Sequence, residues 1–90
     1  MPSRTVPLRN ATGLHARPAR VFAKAAAAFT SEVTVAKSGG DADPVNAKSV
    51  LSVLTLDCHE GDEIVIVAEG EDADTALDRL AQLVDEGLGE

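Results

Sequence analysis

The stretch EVTVAKSGGDADPVN, residues 32–46, decides the fold class of this 90-residue chain. Residues 32–36 alternate apolar and polar side chains, which is typical of a half-buried strand. Residues 38–41 (SGGD) then form a hairpin connection, and residues 42–46 return as a second strand, weakened by Pro44. A hairpin in the middle of the chain predicts a small antiparallel sheet.

Two elements precede this hairpin. Residues 4–9 form a short strand at the sheet edge, because Pro7 cannot donate a hydrogen bond to a ladder. From Ala16 the apolar period becomes helical, and Pro18 fits only within the first turn of a helix, which therefore begins close to His15. The apolar stripe of this helix comprises Ala19, Phe22, Ala23, Ala26 and Phe29.

Three elements follow the hairpin. Residues 49–56 repeat a polar-apolar-apolar pattern that favours a short helix, and residues 63–68 (EIVIVA) form the strongest strand, expected at the centre of the sheet. A last helix starts at Asp72 or Asp74 as its N-cap. The order βαββαβα predicts an α+β fold in which helices cover one face of an antiparallel sheet.

Composition and charge narrow the functional classes. Ninety residues suffice for a single domain, residues 1–90, and the two aromatic residues, both Phe, offer no stacking platform for bases. The net charge of −7 argues against a nucleic-acid partner. Residues 1–31 nevertheless contain no acid, which suits a compact anion or an acidic protein partner. Their basic residues are Arg4, Arg9, Arg17, Arg20 and Lys24.

Several kinds of site are not expected. Cys58 is the single cysteine, so it predicts neither a disulfide nor a multi-cysteine metal site, and it is interpreted as a small apolar filler. No apolar run approaches the roughly 20 residues that span a bilayer, so no membrane contact and a cytoplasmic location are expected. His59 is interpreted as a surface loop residue; a mononuclear metal site formed with the neighbouring acids is the weaker alternative, and no metal site or cofactor is predicted.

Chemistry concentrates in Gly13-Leu14-His15-Ala16-Arg17-Pro18. His15 occupies or adjoins the N-cap, where the first N–H groups of the helix point outward and favour an anion. Arg17 adds a fork of donors that matches phosphate oxygens. An imidazole placed here is a nucleophile whose phosphorylated product would lie among those donors. The pattern alone indicates an anion site with a candidate nucleophile.

The run GLHARPA at residues 13–19 resembles the active-site signature of the histidine-containing phosphocarrier proteins (HPr) of the phosphoenolpyruvate-dependent sugar phosphotransferase system. Residues 46–51 (NAKSVL) resemble the regulatory serine segment of that family, and the closing strand and helix match as well. The resemblance follows family order over nearly the whole chain. It implies an open-faced sandwich of four antiparallel strands covered by three helices.

The same resemblance implies roles for residues and partners. His15 would accept a phosphoryl group on Nδ1 from enzyme I and donate it to enzyme IIA domains, without independent turnover. Arg17 and the backbone of Ala16 and Arg17 would hold the phosphoryl group. Ser49 would be the site of a serine kinase, recruiting a catabolite regulator, although an N-cap of the short helix is a sufficient structural reason for this serine. The protein is expected to be a monomer.

A partner-docking surface is predicted beside the first helix, and it comprises Arg20, Lys24, Val50, Leu51 and Leu54. Burial of the three apolar members in the core is the alternative interpretation. Two other functions also remain open. One is a regulatory module that binds an anionic metabolite, with His15 as a hydrogen-bond donor. The other is a paralogue that serves regulation or nitrogen-linked phosphorelay rather than sugar uptake. An independent enzyme is disfavoured because the sequence offers no base, metal or substrate pocket.

Overall fold

The computed structural model describes residues 2–9, 13–40 and 43–88, so the start of the predicted strand 42–46 lies outside the described residues. These ranges contain four strands and three helices in the predicted order βαββαβα. They are β1 (Ser3–Pro7), α1 (Ala16–Ala27), β2 (Glu32–Lys37), β3 (Val45–Asn46), α2 (Val50–Leu54), β4 (Glu63–Glu69) and α3 (Ala73–Asp85). No helix in the described ranges is long and apolar enough to cross a membrane.

The sheet is antiparallel and its strand order is β1-β4-β2-β3. The prediction of a central position for β4 is confirmed, because this strand pairs with both β1 and β2. Its residues alternate, with Ile64, Ile66 and Ala68 fully buried on the helix-covered face. Residues between them are half-buried, as expected for a sheet covered by helices on one face only.

Proline shapes both edges of the sheet. β1 is an edge strand, as predicted, and it accommodates Pro7, opposite Glu63, because an edge strand tolerates the missing N–H of proline. At the other edge, β3 comprises only Val45 and Asn46, so the predicted strand 42–46 is too long. Pro44 precedes this strand and cannot donate a ladder hydrogen bond, so the pairing begins only at Val45.

The core lies between the sheet and the helices. Four residues of the predicted apolar stripe of α1 are buried, but Phe29 lies beyond the helix end and is only half-buried. Val33 and Val35 of β2 face the same core, as the alternation predicts. The largest fully buried side chains include Phe22, Leu14, Ile64, Ile66, Leu80 and Leu88. The predicted open-faced sandwich with three helices is therefore confirmed.

Asp72 lies at the start of the last helix, as predicted, but its side chain does not cap that helix. Asp72 is the N-cap residue of α3, yet its side chain makes no capping hydrogen bond. Its carboxylate instead accepts hydrogen bonds from the backbone N–H groups of Thr30 and Ser31, each at 2.9 Å, and from the Ser31 hydroxyl. Asp72 therefore fixes the connection between α1 and β2, which sequence pattern alone does not reveal.

Candidate functional site

His15 stands at the entrance of α1. It is the N-cap residue, with extended backbone angles (φ −125°, ψ 157°), and its side chain makes no capping hydrogen bond. The predicted start of the helix is confirmed. The side chain is 34% exposed, so the imidazole ring reaches solvent while its backbone is held by the helix. This combination presents a nucleophile beside the first-turn N–H groups, which have no carbonyl partner within the helix.

Gly13 allows the loop before His15 to press against the loop before β4. Its φ of +65° favours glycine, and an added β-carbon would lie only 2.6 Å from the Cα of His59. The next residue, Leu14, is fully buried and donates its N–H to the Cys58 carbonyl at 3.1 Å. These contacts fix the position of His15 relative to residues 57–59.

Sheet topology explains why these two loops meet. The first and last strands are paired antiparallel, so the chain leaves β1 at the same end of the sheet where it enters β4. Leu8 extends this pairing beyond β1: its N–H donates to the Asp62 carbonyl at 2.8 Å, and its carbonyl accepts from the Gly61 N–H at 2.9 Å. Residues that follow β1 therefore lie against residues that precede β4.

His59 lies beside His15, which the sequence interpretation missed. Its predicted surface position is confirmed, since its side chain is 62% exposed, but its ring centroid is 5.2 Å from that of His15. Asp57 lies between them, with Oδ1 at 3.4 Å from Nε2 of His15 and 3.5 Å from Nε2 of His59. The antiparallel pairing of the first and last strands is the signal that could have revealed this neighbourhood.

The basic face of α1 and the apolar face of α2 form an open depression of about 510 Å³. Five residues of its lining were predicted from the sequence as site or docking residues, and Val21 was not. The lining comprises Arg17, Arg20, Val21, Lys24, Val50 and Leu54. Leu51 stands outside this lining and is 77% exposed. The alternative of core burial applies in part to Leu54, which is half-buried against the core, but not to exposed Leu51; Val53 is the fully buried residue of α2.

Ser49 is the N-cap of α2, as predicted. Its hydroxyl oxygen accepts a hydrogen bond from the Ser52 N–H at 3.3 Å, and its carbonyl accepts from the Val53 N–H at 3.0 Å. The side chain is half-buried. Ser49 therefore has a structural role as a helix cap. It directly precedes Val50, which lines the depression.

Cys58 is fully buried, which confirms its interpretation as an apolar filler. Burial raises the pKa of its thiol, so the protonated form predominates near neutrality. A buried, protonated thiol is a poor nucleophile.

Comparisons with known proteins identify the family. The family model described as the PTS HPr component phosphorylation site matches residues 2–86. The chain belongs to the HPr family. It is 51% identical over 90 residues to the phosphocarrier protein HPr of Streptomyces coelicolor, covering 100% of this chain and 95% of the relative. Its fold is similar to an HPr crystal structure from Thermoanaerobacter tengcongensis, with a TM-score of 0.90, 37% identity and coverage of 100% and 98%.

A further relative is the HPr-like protein Crh of Bacillus subtilis, 42% identical over 86 residues, with coverage of 96% of this chain and 98% of the relative. Membership of the HPr family makes the protein a phosphoryl carrier of the phosphotransferase system, with no independent catalytic activity. His15, in the matched region, is the typical site of phosphorylation in this family.

Proposed function

We propose that Nδ1 of His15 accepts a phosphoryl group from a phosphohistidine of enzyme I and passes it to a histidine of enzyme IIA domains. The observation that carries this proposal is the position of His15 as the N-cap of α1, with a partly exposed ring that makes no capping bond. In this scheme the protein acts as a monomer in the cytoplasm, where phosphoenolpyruvate charges enzyme I.

Each transfer exchanges one phosphorus–nitrogen bond for another. The Nδ1 lone pair of His15 attacks phosphorus, the bond to the donor imidazole breaks, and the donor nitrogen keeps the bonding electron pair. The second transfer repeats this exchange with His15 as the leaving group. Such a reaction depends on alignment and charge stabilisation more than on other protein groups, so a small domain with one well-placed imidazole suffices.

Two features of α1 support stabilisation of the phosphoryl group. The backbone N–H groups of Ala16 and Arg17 belong to the first turn, where the positive end of the helix dipole favours an anion by about 0.3–1 kcal/mol. Arg17 is exposed, and its guanidinium provides a planar fork of donors suited to phosphate oxygens. Both features act on the product and on the transition state, whose equatorial oxygens carry negative charge.

The depression beside this site supports a docking role. Arg20 and Lys24 supply its basic rim, while Val50 and Leu54 supply apolar surface, and exposed Leu51 extends that surface. An acidic partner surface with an apolar centre would complement this patch. Enzyme I and enzyme IIA domains would then approach His15 from the side of α1 and α2.

The test combines the full chain with enzyme I and phosphoenolpyruvate and measures the intact mass. A gain of one phosphoryl group that acid removes, absent in His15→Ala, is the expected result. The matched control is His59→Ala, which removes the neighbouring imidazole and should retain the mass gain. Failure to gain mass with native enzyme I, proven active on another carrier, would instead favour a module that binds an anionic metabolite.

Regulation through Ser49 is a second proposal, made for a serine kinase and a catabolite regulator. Ser49 directly precedes Val50 in the docking depression, so a phosphate there would add almost two negative charges beside the basic rim. We expect Ser49→Asp to slow phosphoryl transfer from enzyme I, whereas Ser49→Asn preserves a capping side chain without charge. Equal rates for the two variants would contradict this proposal.

A further inference from the structure

Three metal-ligating side chains meet at the mouth of α1. Oδ1 of Asp57 lies 3.4 Å from Nε2 of His15 and 3.5 Å from Nε2 of His59. The three side chains each offer one ligand atom that lies within 4.8 Å of those offered by the other two. With zinc–ligand bonds of about 2.0–2.2 Å, the ligand atoms of a tetrahedral site are separated by roughly 3.3–3.6 Å. Two of the three separations already fall in this range, and rotation of exposed side chains can close the third.

The fold brings this cluster together from two loops. The Leu14 N–H to Cys58 carbonyl bond fixes the loop of His15 against residues 57–59. Asp57 follows α2 with a φ of +50°, a conformation that glycine adopts most readily and that aspartate tolerates better than most residues. This turn places a carboxylate between two imidazoles.

A second carboxylate orients His59. Oδ2 of Asp62 accepts the His59 backbone N–H at 2.9 Å and lies 3.7 Å from Nδ1 of the same ring. With Nδ1 on the side of Asp62, Nε2 is the ring nitrogen that approaches the Asp57 carboxylate, at 3.5 Å. A carboxylate behind the non-coordinating nitrogen is the usual outer partner of a metal-bound histidine.

We propose that Nε2 of His15, Nε2 of His59 and Oδ1 of Asp57 bind a divalent transition-metal ion of the zinc type. Two imidazoles and one carboxylate suit zinc, nickel or copper, whereas magnesium and calcium prefer oxygen ligands. Water would complete the coordination, since the Asp57 and His59 side chains are 74% and 62% exposed. This site departs from the sequence-based expectation of no metal.

The site has a consequence for phosphoryl transfer, which rests on the proposed role of His15. A neutral imidazole that coordinates a metal through Nε2 carries its proton on Nδ1. Nδ1 then has no lone pair with which to attack phosphorus. Bound metal would therefore block acceptance of the phosphoryl group until the metal dissociates.

Binding is tested with zinc chloride and the unphosphorylated full chain by isothermal titration calorimetry, with imidazole NMR signals as a second readout. We expect one zinc per chain and shifts of the ring signals of both histidines. His59→Gln and Asp57→Asn should each weaken binding at least about tenfold, because a ligand is lost. Glu60→Gln, an exposed neighbour outside the cluster, should bind zinc as the unaltered protein does.

Undiminished zinc binding by His59→Gln and Asp57→Asn would overturn the proposal, as would equal binding of magnesium. Circular dichroism of each variant verifies that a loss of binding does not reflect unfolding. Zinc shifts confined to one histidine would also contradict the shared site.

A second experiment separates this inference from the proposed function. Pre-phosphorylated enzyme I donates to each variant with and without zinc, and inhibition is expressed relative to the zinc-free rate of the same variant. Zinc should inhibit the unaltered chain and Glu60→Gln but not His59→Gln. Transfer that zinc does not inhibit would refute the metal-dependent block, whereas zinc binding without any phosphoryl acceptance would refute the function proposed for His15 and leave the metal site standing.

Discussion

The backbone N–H of Leu14 donates to the carbonyl oxygen of Cys58 at 3.1 Å, joining the loop of His15 to the loop that enters β4. Both side chains are fully buried, so the junction is part of the core. The geometry around His15 therefore depends on two loops that are distant in sequence. Changes that separate them should alter stability and phosphoryl transfer together.

Gly13→Ala provides the direct test of this junction. A β-carbon at Gly13 would lie 2.6 Å from the His59 Cα and closer still to the Cys58 carbonyl oxygen, in a backbone conformation with φ of +65°. We expect about 1–3 kcal/mol of destabilisation from overpacking, added to roughly 1–2 kcal/mol for the left-handed conformation. Urea denaturation measures the stability, and the rate of phosphoryl acceptance measures the site.

Gly39→Ala is the matched control for that variant. Gly39 also has a positive φ, +76°, but a β-carbon there meets nothing within 4 Å. The stability of Gly39→Ala should fall only by the roughly 1–2 kcal/mol of the left-handed conformation, and its phosphoryl transfer should be normal. Equal destabilisation of the two variants would contradict the importance of close packing at Gly13.

Arg17 should matter through its fork of donors as well as its charge. We expect Arg17→Ala to accept the phosphoryl group roughly ten- to a hundredfold more slowly than the unaltered protein. This loss of rate is smaller than the largest losses on removing a donor from a water-excluded site, because Arg17 is exposed. The rate of Arg17→Lys should fall between those of Arg17→Ala and the unaltered protein, since an ammonium keeps the charge but not the planar geometry.

Quench-flow measurement of phosphoryl transfer from enzyme I checks this prediction. Arg79→Ala removes a cation from the exposed face of α3 and serves as the control. A similar loss of rate in Arg79→Ala would mean that net charge, not position, explains the effect.

Much of this fold could be predicted because local signals agreed with tertiary structure. Pro18 confines the start of α1 to the residues beside His15, and the alternation of β4 matches its burial on one face. Element ends were less predictable. Pairing at β3 stops after two residues, and Phe29 continues the apolar period beyond the last turn of α1.

The contacts that the sequence could not reveal are long-range. Nothing in the local pattern of His59 indicates a second imidazole at 5.2 Å, because that distance follows from the pairing of β1 with β4. The contacts of Asp72 with Ser31 likewise cross 41 positions of the chain. Local pattern placed Asp72 correctly at a helix start but could not show that its oxygens point to another element.

Leu51 should affect docking without affecting stability. Its side chain is 77% exposed beside the docking depression, so truncation removes little buried surface. We expect Leu51→Ala to raise the enzyme I concentration needed for half-maximal transfer several-fold while the unfolding midpoint stays unchanged. Thr75→Ala, exposed on α3, is the control. Unaltered transfer kinetics in Leu51→Ala would remove this residue from the docking surface.

Asp72 predicts a specific pH dependence of stability. Hydrogen bonds from the Ser31 hydroxyl and the N–H groups of Thr30 and Ser31 lower the pKa of this carboxyl from 3.8 to about 2. Since the folded protein holds the proton less tightly than the unfolded chain, the stabilisation is complete well above pH 3.8 and disappears as pH falls through about 2.

We expect Asp72→Asn to lower the urea midpoint at pH 7. The gap between the midpoints of this variant and the unaltered protein should narrow between pH 4 and pH 2. Asp74→Asn, exposed in the first turn of α3, should not reproduce this change. A gap as wide at pH 2 as at pH 7 would show that Asp72 acts through shape rather than through its negative charge.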